Sequence, residues 1–433
     1  MYISVSDRNG GKNGGKRDEQ VAAGGRTRRP ENRFKLSHTI VWLGVVSMFT
    51  DVSSESVAAI LPLYITGFLG LSVIAFGVLD GINQGASALV RIAAGWASDR
   101  MGHPKRVALA GYGLSMAARI GLLFAGGFWS LTAVITGDRI GKGIRTAPRD
   151  ALITVAAQPE HLARHFGVHR MLDNIGAATG PLLAFFILML IPNGYSTVFV
   201  VSLAFAVIGV VALALLVPDL RAGRRRAGND TPKSPAFSFR WRMLREPGLG
   251  RLLVVAGVLG LLTVGDGFIY LVLQDKNSFA VQWFPLLYVG TNLVFLLLAI
   301  PLGRLADRWG KAKVFIAGHA ALLVCYLLTA MPFAGIGPTL GCLVLLGIFY
   351  AATDGVLAAL ASQLTPPDRL ATGIGAALTV AAVSRMAASA GFGVLWFVLG
   401  PTTAMVAVGC MLTVAVVASP FILNGIGHEK RVA

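Results

Sequence analysis

Twelve stretches of about twenty apolar residues, separated by Gly, Pro or charge, begin near residues 39, 72, 107, 129, 167, 197, 249, 281, 314, 338, 371 and 401. Coiled at ~1.5 Å per residue, a run of this length spans the ~30 Å hydrocarbon core of a bilayer. Lipid offers no partner to backbone N–H and C=O groups, so such runs must be helical. The composition agrees: 55% of the 433 residues are hydrophobic and 14% charged, where soluble domains carry about 25% charge. An ordinary soluble enzyme is excluded. Cys325, Cys342 and Cys410 all lie in apolar runs, so neither a disulfide framework nor a thiolate metal site is expected.

The net charge of +17 is concentrated in two places. Residues 1–37 carry nine Lys/Arg against four acids among Gly and Asn, which describes a disordered basic tail. Residues 218–248 carry eight Lys/Arg against three acids and four prolines, which describes a linker. The chain therefore divides into the tail, a six-helix bundle over 38–217, the linker, a second six-helix bundle over 249–425, and a short tail over 426–433. No aromatic-and-basic module accompanies the charge, so lipid headgroups rather than nucleic acid are its expected partners. With the N-terminus inside, the inner loops hold Arg100, Lys105, Arg106, Arg164, Arg308, Lys311, Lys313 and Arg369, and the outer loops only Lys276. That bias predicts a multi-pass protein of the cell membrane with both termini cytoplasmic.

The halves repeat each other. Gly95-Trp-Ala-Ser-Asp99-Arg100-Met-Gly102-His-Pro-Lys105-Arg106 recurs as Gly303-Arg-Leu-Ala-Asp307-Arg308-Trp-Gly310-Lys311-Ala-Lys313, an offset of 208 residues. The same offset superimposes Pro159 on Pro367 and Gly167 on Gly375. Chance matches would not stay in register across two loops, so the chain reads as a duplication of the kind found in transporters. Two further segments stand out: Arg139-Ile-Gly-Lys142-Gly143 in the fourth run, and Gly176-Ala-Ala-Thr-Gly180-Pro181 in the fifth. The Gly141-Lys142-Gly143 stretch lacks the spacing and the Ser/Thr of a phosphate loop.

In these motifs, residues 38–425 resemble the major facilitator superfamily. The resemblance implies an all-α membrane fold of twelve helices in two pseudo-symmetric bundles. It implies that Gly95, Asp99, Arg100, Gly102, Lys105, Arg106, Gly303, Asp307, Arg308 and Gly310 form a conformational latch rather than a substrate site. It also associates the Gly176, Gly180, Pro181 packing motif with exporters working by antiport, although Ala184-Phe185 replaces the small pair that often follows.

Ionisable residues inside a membrane cost several kcal/mol unless they face water or a partner. In the fourth helix Asp138, Lys142, Arg145 and Arg149 fall within ~60° of one another, with Arg139 and Asp150 alongside. They form one polar stripe. Together with Asp266 and Arg385 they are the substrate-cavity candidates. Asp51 and Glu55, four residues apart on the first helix, and Asp173 near Arg170 on the fifth are the proton-coupling candidates, since two close carboxylates in a low dielectric can share one proton. The predicted intramembrane cations and acids are equal in number, eight of each, which leaves structural pairing and substrate contact equally open for any one residue. His161, His165 and His169 read as a solvated loop interrupted at Gly167 in preference to a metal site. Trp129, Trp283, Trp396 and Tyr195 read as interfacial anchors.

The expected activity is secondary active transport of a small molecule by alternating access, coupled to protons or another ion, with no enzyme chemistry, no cofactor and a monomeric state. Export of a drug or metabolite against protons leads; proton-coupled movement of an organic anion is the alternative. A non-transporting sensor or scaffold on the same fold is the outside reading, and costly intramembrane charge argues against it.

Overall fold

The computed structural model describes residues 37–101, 103–158, 161–219, 247–366 and 370–424. The expected disordered tail, nearly all of the linker, the C-terminal tail, Gly102, Pro159 and Pro367 lie outside the described residues.

Thirteen α-helices account for almost all of the described chain: α1 (His38–Leu63, continued by a π-helical turn Tyr64–Phe68), α2 (Val73–Met101), α3 (Pro104–Leu122), α4 (Phe128–Ala156), α5 (Leu162–Leu190), α6 (Tyr195–Leu216), α7 (Pro247–Leu261), α8 (Asp266–Asn277), α9 (Phe284–Trp309), α10 (Lys311–Ala330), α11 (Ile336–Gln363), α12 (Leu370–Leu399) and α13 (Pro401–Leu423). Ten segments are long and apolar enough to cross a membrane, α7 and α8 counting as one of them. The two helices left out are α3, with Lys105, Arg106 and Arg119, and α4, with six ionisable residues. The duplication extends to the helix boundaries. α9 ends 208 residues after α2, and α11 and α12 begin 208 residues after α4 and α5.

The main packing partners are mostly not consecutive in the chain. α1 lies against α5 and α6, α4 against α2 and α3, α11 against α9 and α10, and α13 against α7 and α10. The most extensive contact between early and late helices joins α2 to α12. It is built on glycines spaced by four, Gly77, Gly81 and Gly85. A Cβ at Gly77 would lie 2.7 Å from Ser389 O, and one at Gly81 2.5 Å from Met386 O. Bare glycine faces let two helix backbones touch in a solvent where apolar burial provides no drive. Beside this seam Phe76, Phe268 and Phe392 pack edge to face, with centroids 4.7 and 4.9 Å apart.

Three expectations need correction. The run beginning at 249 is not one continuous helix: it breaks between Leu261 and Asp266. Tyr326 of α10 repairs the break by accepting from Val264 N–H at 2.7 Å and donating to Leu262 C=O at 3.0 Å, so backbone groups that lipid could not satisfy have a partner. The histidine stretch is not a solvated loop either. α5 runs unbroken through Gly167, and His165 and His169 are buried in it. Tyr195 is also buried, against Tyr64, rather than interfacial, while Trp129 and Trp283 are exposed at helix starts.

Candidate functional site

The site is built around α4. Gly141 and Gly143 bring its backbone against both neighbours: a Cβ at Gly141 would meet Gly111 O of α3 at 2.6 Å, and one at Gly143 would meet Ser87 O of α2 at 2.9 Å. That closeness lets short side chains reach across. The Asp138 carboxylate accepts from Arg139 Nη2 at 2.8 Å and from Arg119 Nη2 of α3 at 3.1 Å, and all three residues are buried. Arg145 donates to Ser115 Oγ at 3.3 Å and lies 4.7 Å over the Tyr112 ring. Lys142 is half-buried between the two glycine contacts, and no described residue accepts a hydrogen bond from its ammonium. The stripe thus contains a sealed ion triad, an arginine held on a ring, and a lysine left for other partners.

At the other end of the stripe, Arg149 ties three helices together. It donates to Asp150 Oδ1 at 3.1 Å and to Ser47 Oγ of α1 at 3.3 Å, and lies 3.7 Å from Asp173 Oδ1 of α5. Ser47 Oγ also contacts His169 Nε2 at 3.0 Å and Tyr112 Oη at 3.4 Å. Asp51 is within hydrogen-bonding reach of Asp173, and Lys142, Arg145 and Glu55 surround it. The structure therefore brings Asp51, Glu55 and Asp173 together, with the hydrogen-bonding contact made across helices rather than along α1. Gly176 and Gly180 make this possible: Cβ atoms there would lie 2.4 Å from Met48 O and 2.8 Å from Ser56 N of α1. Pro181 follows inside α5.

A second polar cluster stands among the later helices. Asp266 opens α8 at the helix break and accepts from Tyr350 Oη at 2.6 Å. Arg385 lies 3.8 Å from Asp354 Oδ1, beyond hydrogen-bond length, and stands over the Phe349 and Tyr350 rings. Asp80 of α2 accepts from Ser389 Oγ of α12 at 2.6 Å, so this cluster crosses the α2–α12 seam. Asp266 and Arg385 are accordingly in one cluster, and Asp138 to Arg149 in another. Ser47, Tyr112, Tyr350, Ser389 and Gln84 carry no signal in the sequence. Each acts through a helix distant in the chain, where spacing along one helix carries no signal.

The repeated loop motif lies at the end of the helices that bears residue 38. Gly95, Asp99 and Arg100 fall in the last turns of α2, the acidic and basic side chains being outside the described residues. Lys105 donates to Ala214 O of α6 at 2.9 Å, and Arg106 is exposed. In the second copy Asp307 pairs with Lys311 at 3.4 Å, Arg308 is exposed and Gly303 has open space around it. Gly310 turns the chain at φ +103°, a conformation that L side chains rarely adopt. Among the described residues no three His, Cys, Asp or Glu side chains gather as metal ligands.

A family model described as Major Facilitator Superfamily matches residues 41–388, and again 267–431. The chain belongs to that superfamily. An uncharacterised MFS-type transporter of Methanocaldococcus jannaschii is 28% identical over 380 residues, 84% of this chain and 90% of that one. An uncharacterised protein of Mycobacterium tuberculosis (strain H37Rv) is 28% identical over 287 residues, 65% of this chain and 68% of that one. Among solved structures, the nucleoside transporter NupG superimposes with a TM-score of 0.74 at 14% identity, covering 89% of this chain and 99% of that chain. A POT family transporter in complex with 5-aminolevulinic acid does so with a TM-score of 0.73 at 14% identity, covering 88% and 96%. At such identities the superpositions establish the fold. This superfamily member is a multi-pass membrane transporter and not an enzyme.

Proposed function

We propose that the chain is a proton-coupled secondary transporter that exports a small polar metabolite by alternating access. In this reading α3 and α4 also cross the membrane and α7–α8 is one broken span, giving twelve spans in two six-helix halves that rock about the charged cleft. Both termini and the linker are on the cytoplasmic side, and a single chain in the cell membrane suffices. The latch residues at the end bearing residue 38 govern the switch between states.

The contact between Asp51 and Asp173 carries the coupling assignment. Two carboxyls within hydrogen-bonding reach hold one proton between them, and Arg149, Lys142 and Arg145 set how readily it leaves. Glu55 lies beside the pair as a relay. Asp138, Arg139 and Arg119 act structurally, whereas Lys142, Arg145, Asp266 and Arg385 face the cargo. Lys142 without a hydrogen-bond acceptor specifically favours a second reading, in which an organic anion is moved with protons. The direction of export rests on the Gly176, Gly180, Pro181 motif alone.

The test is reconstitution of Asp51→Asn in liposomes with a panel of monocarboxylates, amino acids, nucleosides and cationic dyes. The variant should lose uphill transport driven by a pH gradient while keeping exchange of the same solute, because exchange needs binding and rocking but no net proton movement. A folded variant that still couples uphill transport to pH refutes the assignment.

A further inference from the structure

The later helices enclose a chamber of about 120 Å³ lined by Gln84, His319, Thr353, Asp354, Ala382 and Arg385 among others. That exceeds the ~30 Å³ share of one water and admits a small functional group. His319 is 3% exposed. Its Nδ1 lies 2.9 Å from Phe315 O. A carbonyl only accepts, so Nδ1 carries the hydrogen, and Nε2 of the neutral ring presents a lone pair without a partner among the described residues. Thr353 spends its hydroxyl hydrogen on Phe349 O at 2.8 Å. Asp354 stands too far from Arg385 for a hydrogen bond, and the guanidinium rests over two rings. Asp266, which accepts from Tyr350, and Asp80, which accepts from Ser389, lie outside the chamber wall. With the guanidinium of Arg385 resting over two rings, the Asp354 carboxylate and the unpaired imidazole acceptor leave the wall with more open acceptors than donors.

From this geometry we infer that the chamber is the cargo's amine subsite, where a primary ammonium group donates to Asp354 and His319 Nε2 while Gln84, reaching in from α2, closes the shell. The inference rests on the transporter reading and narrows its cargo to amine-bearing metabolites. A primary ammonium has three donors and no acceptor, which complements this set; a carboxylate would meet Asp354 and the imidazole lone pair with repulsion. Because Gln84 comes from α2 and the other groups from α7 and α10 to α12, an occupant joins the early and late helices, so occupancy and helix rocking are linked.

The experiment reads the chamber directly and needs no flux. In a Cys410→Ser background, which removes the exposed native thiol, Ala382→Cys is labelled in purified full-length protein. The reagents are 2-aminoethyl methanethiosulfonate, a cation, and 2-sulfonatoethyl methanethiosulfonate, an anion, each normalised to its rate with free 2-mercaptoethanol. The cation should react roughly ten-fold faster, Asp354→Asn should bring the two rates close to parity, and excess ethylammonium chloride should protect where equimolar sodium chloride does not. Leu378→Cys, also on the chamber wall, serves if Ala382→Cys misfolds. An anion preference, equal rates, a ratio indifferent to Asp354, or no reaction at either position overturns the amine subsite. Since labelling involves neither pH gradient nor transport, these outcomes are separate from failure of the Asp51 coupling test.

Discussion

Asp138 offers the most exacting check on the division between structural and working charges. Its carboxylate meets two guanidinium groups at 2.8 and 3.1 Å, with Lys142 and Arg145 close behind and no exposed face among the three paired residues. At an effective dielectric of about 20 these contacts amount to about 6 and about 5 kcal/mol of attraction, opposed by several kcal/mol of desolvation for each group. Removing the only negative member leaves that desolvation uncompensated, so Asp138→Asn should cost about 3–5 kcal/mol. Arg139→Met should cost far less. Asp138 would keep Arg119, and Arg139 already has an Nε with no hydrogen-bond partner among the described residues. The assay is thermal and denaturant unfolding in detergent, followed by tryptophan fluorescence, with Arg119→Met as a third variant. An Asp138→Asn protein as stable as wild type, or no more destabilised than Arg139→Met, would show that the triad is not structural and return Asp138 to the cargo cavity.

Two further stability changes follow from geometry alone. Gly176→Ala drives a methyl group to 2.4 Å from Met48 O, an atom of the α1 backbone that cannot swing aside, and should cost about 1–3 kcal/mol; Gly167→Ala in the same helix, with nothing within 4 Å, should be neutral by the same unfolding measurement. Tyr326→Phe strands Val264 N–H and Leu262 C=O at the α7–α8 break and should cost about 1–3 kcal/mol for each group, with hydrogen exchange rising locally at residues 262–265.

Helix positions were largely legible because lipid demands a long apolar run for each span and punctuation between runs. The expected start at 401 coincides with α13, and those near 39, 72 and 129 lie within a residue of α1, α2 and α4. The break in the span beginning at 247 was not legible. Thr263, Gly265 and Asp266 lower the apolarity of the run only locally, and the tyrosine that stabilises the break comes from α10. Spacing by four placed Asp51 and Glu55 on one face of α1, but the hydrogen-bonding neighbour of Asp51 is Asp173, 122 residues away in α5. Periodicity within a helix reveals which face a residue occupies and nothing about what stands opposite. His169 shows the same limit: its spacing with His161 and His165 invited a choice between loop and metal, while its actual role is to contact Ser47 across the α1–α5 interface.

The glycine row at positions 77, 81 and 85 has a practical consequence for conformational trapping. A seam that is bare at these three positions, where backbone meets backbone, can be wedged by a single methyl. Alanine at Gly81 would not fit the closed seam, since its Cβ would lie 2.5 Å from Met386 O, yet it would cost nothing once α2 and α12 had parted. Such a substitution penalises one state and spares the other, so it works as a conformational lever of the kind needed to capture the opposite face of the transport cycle.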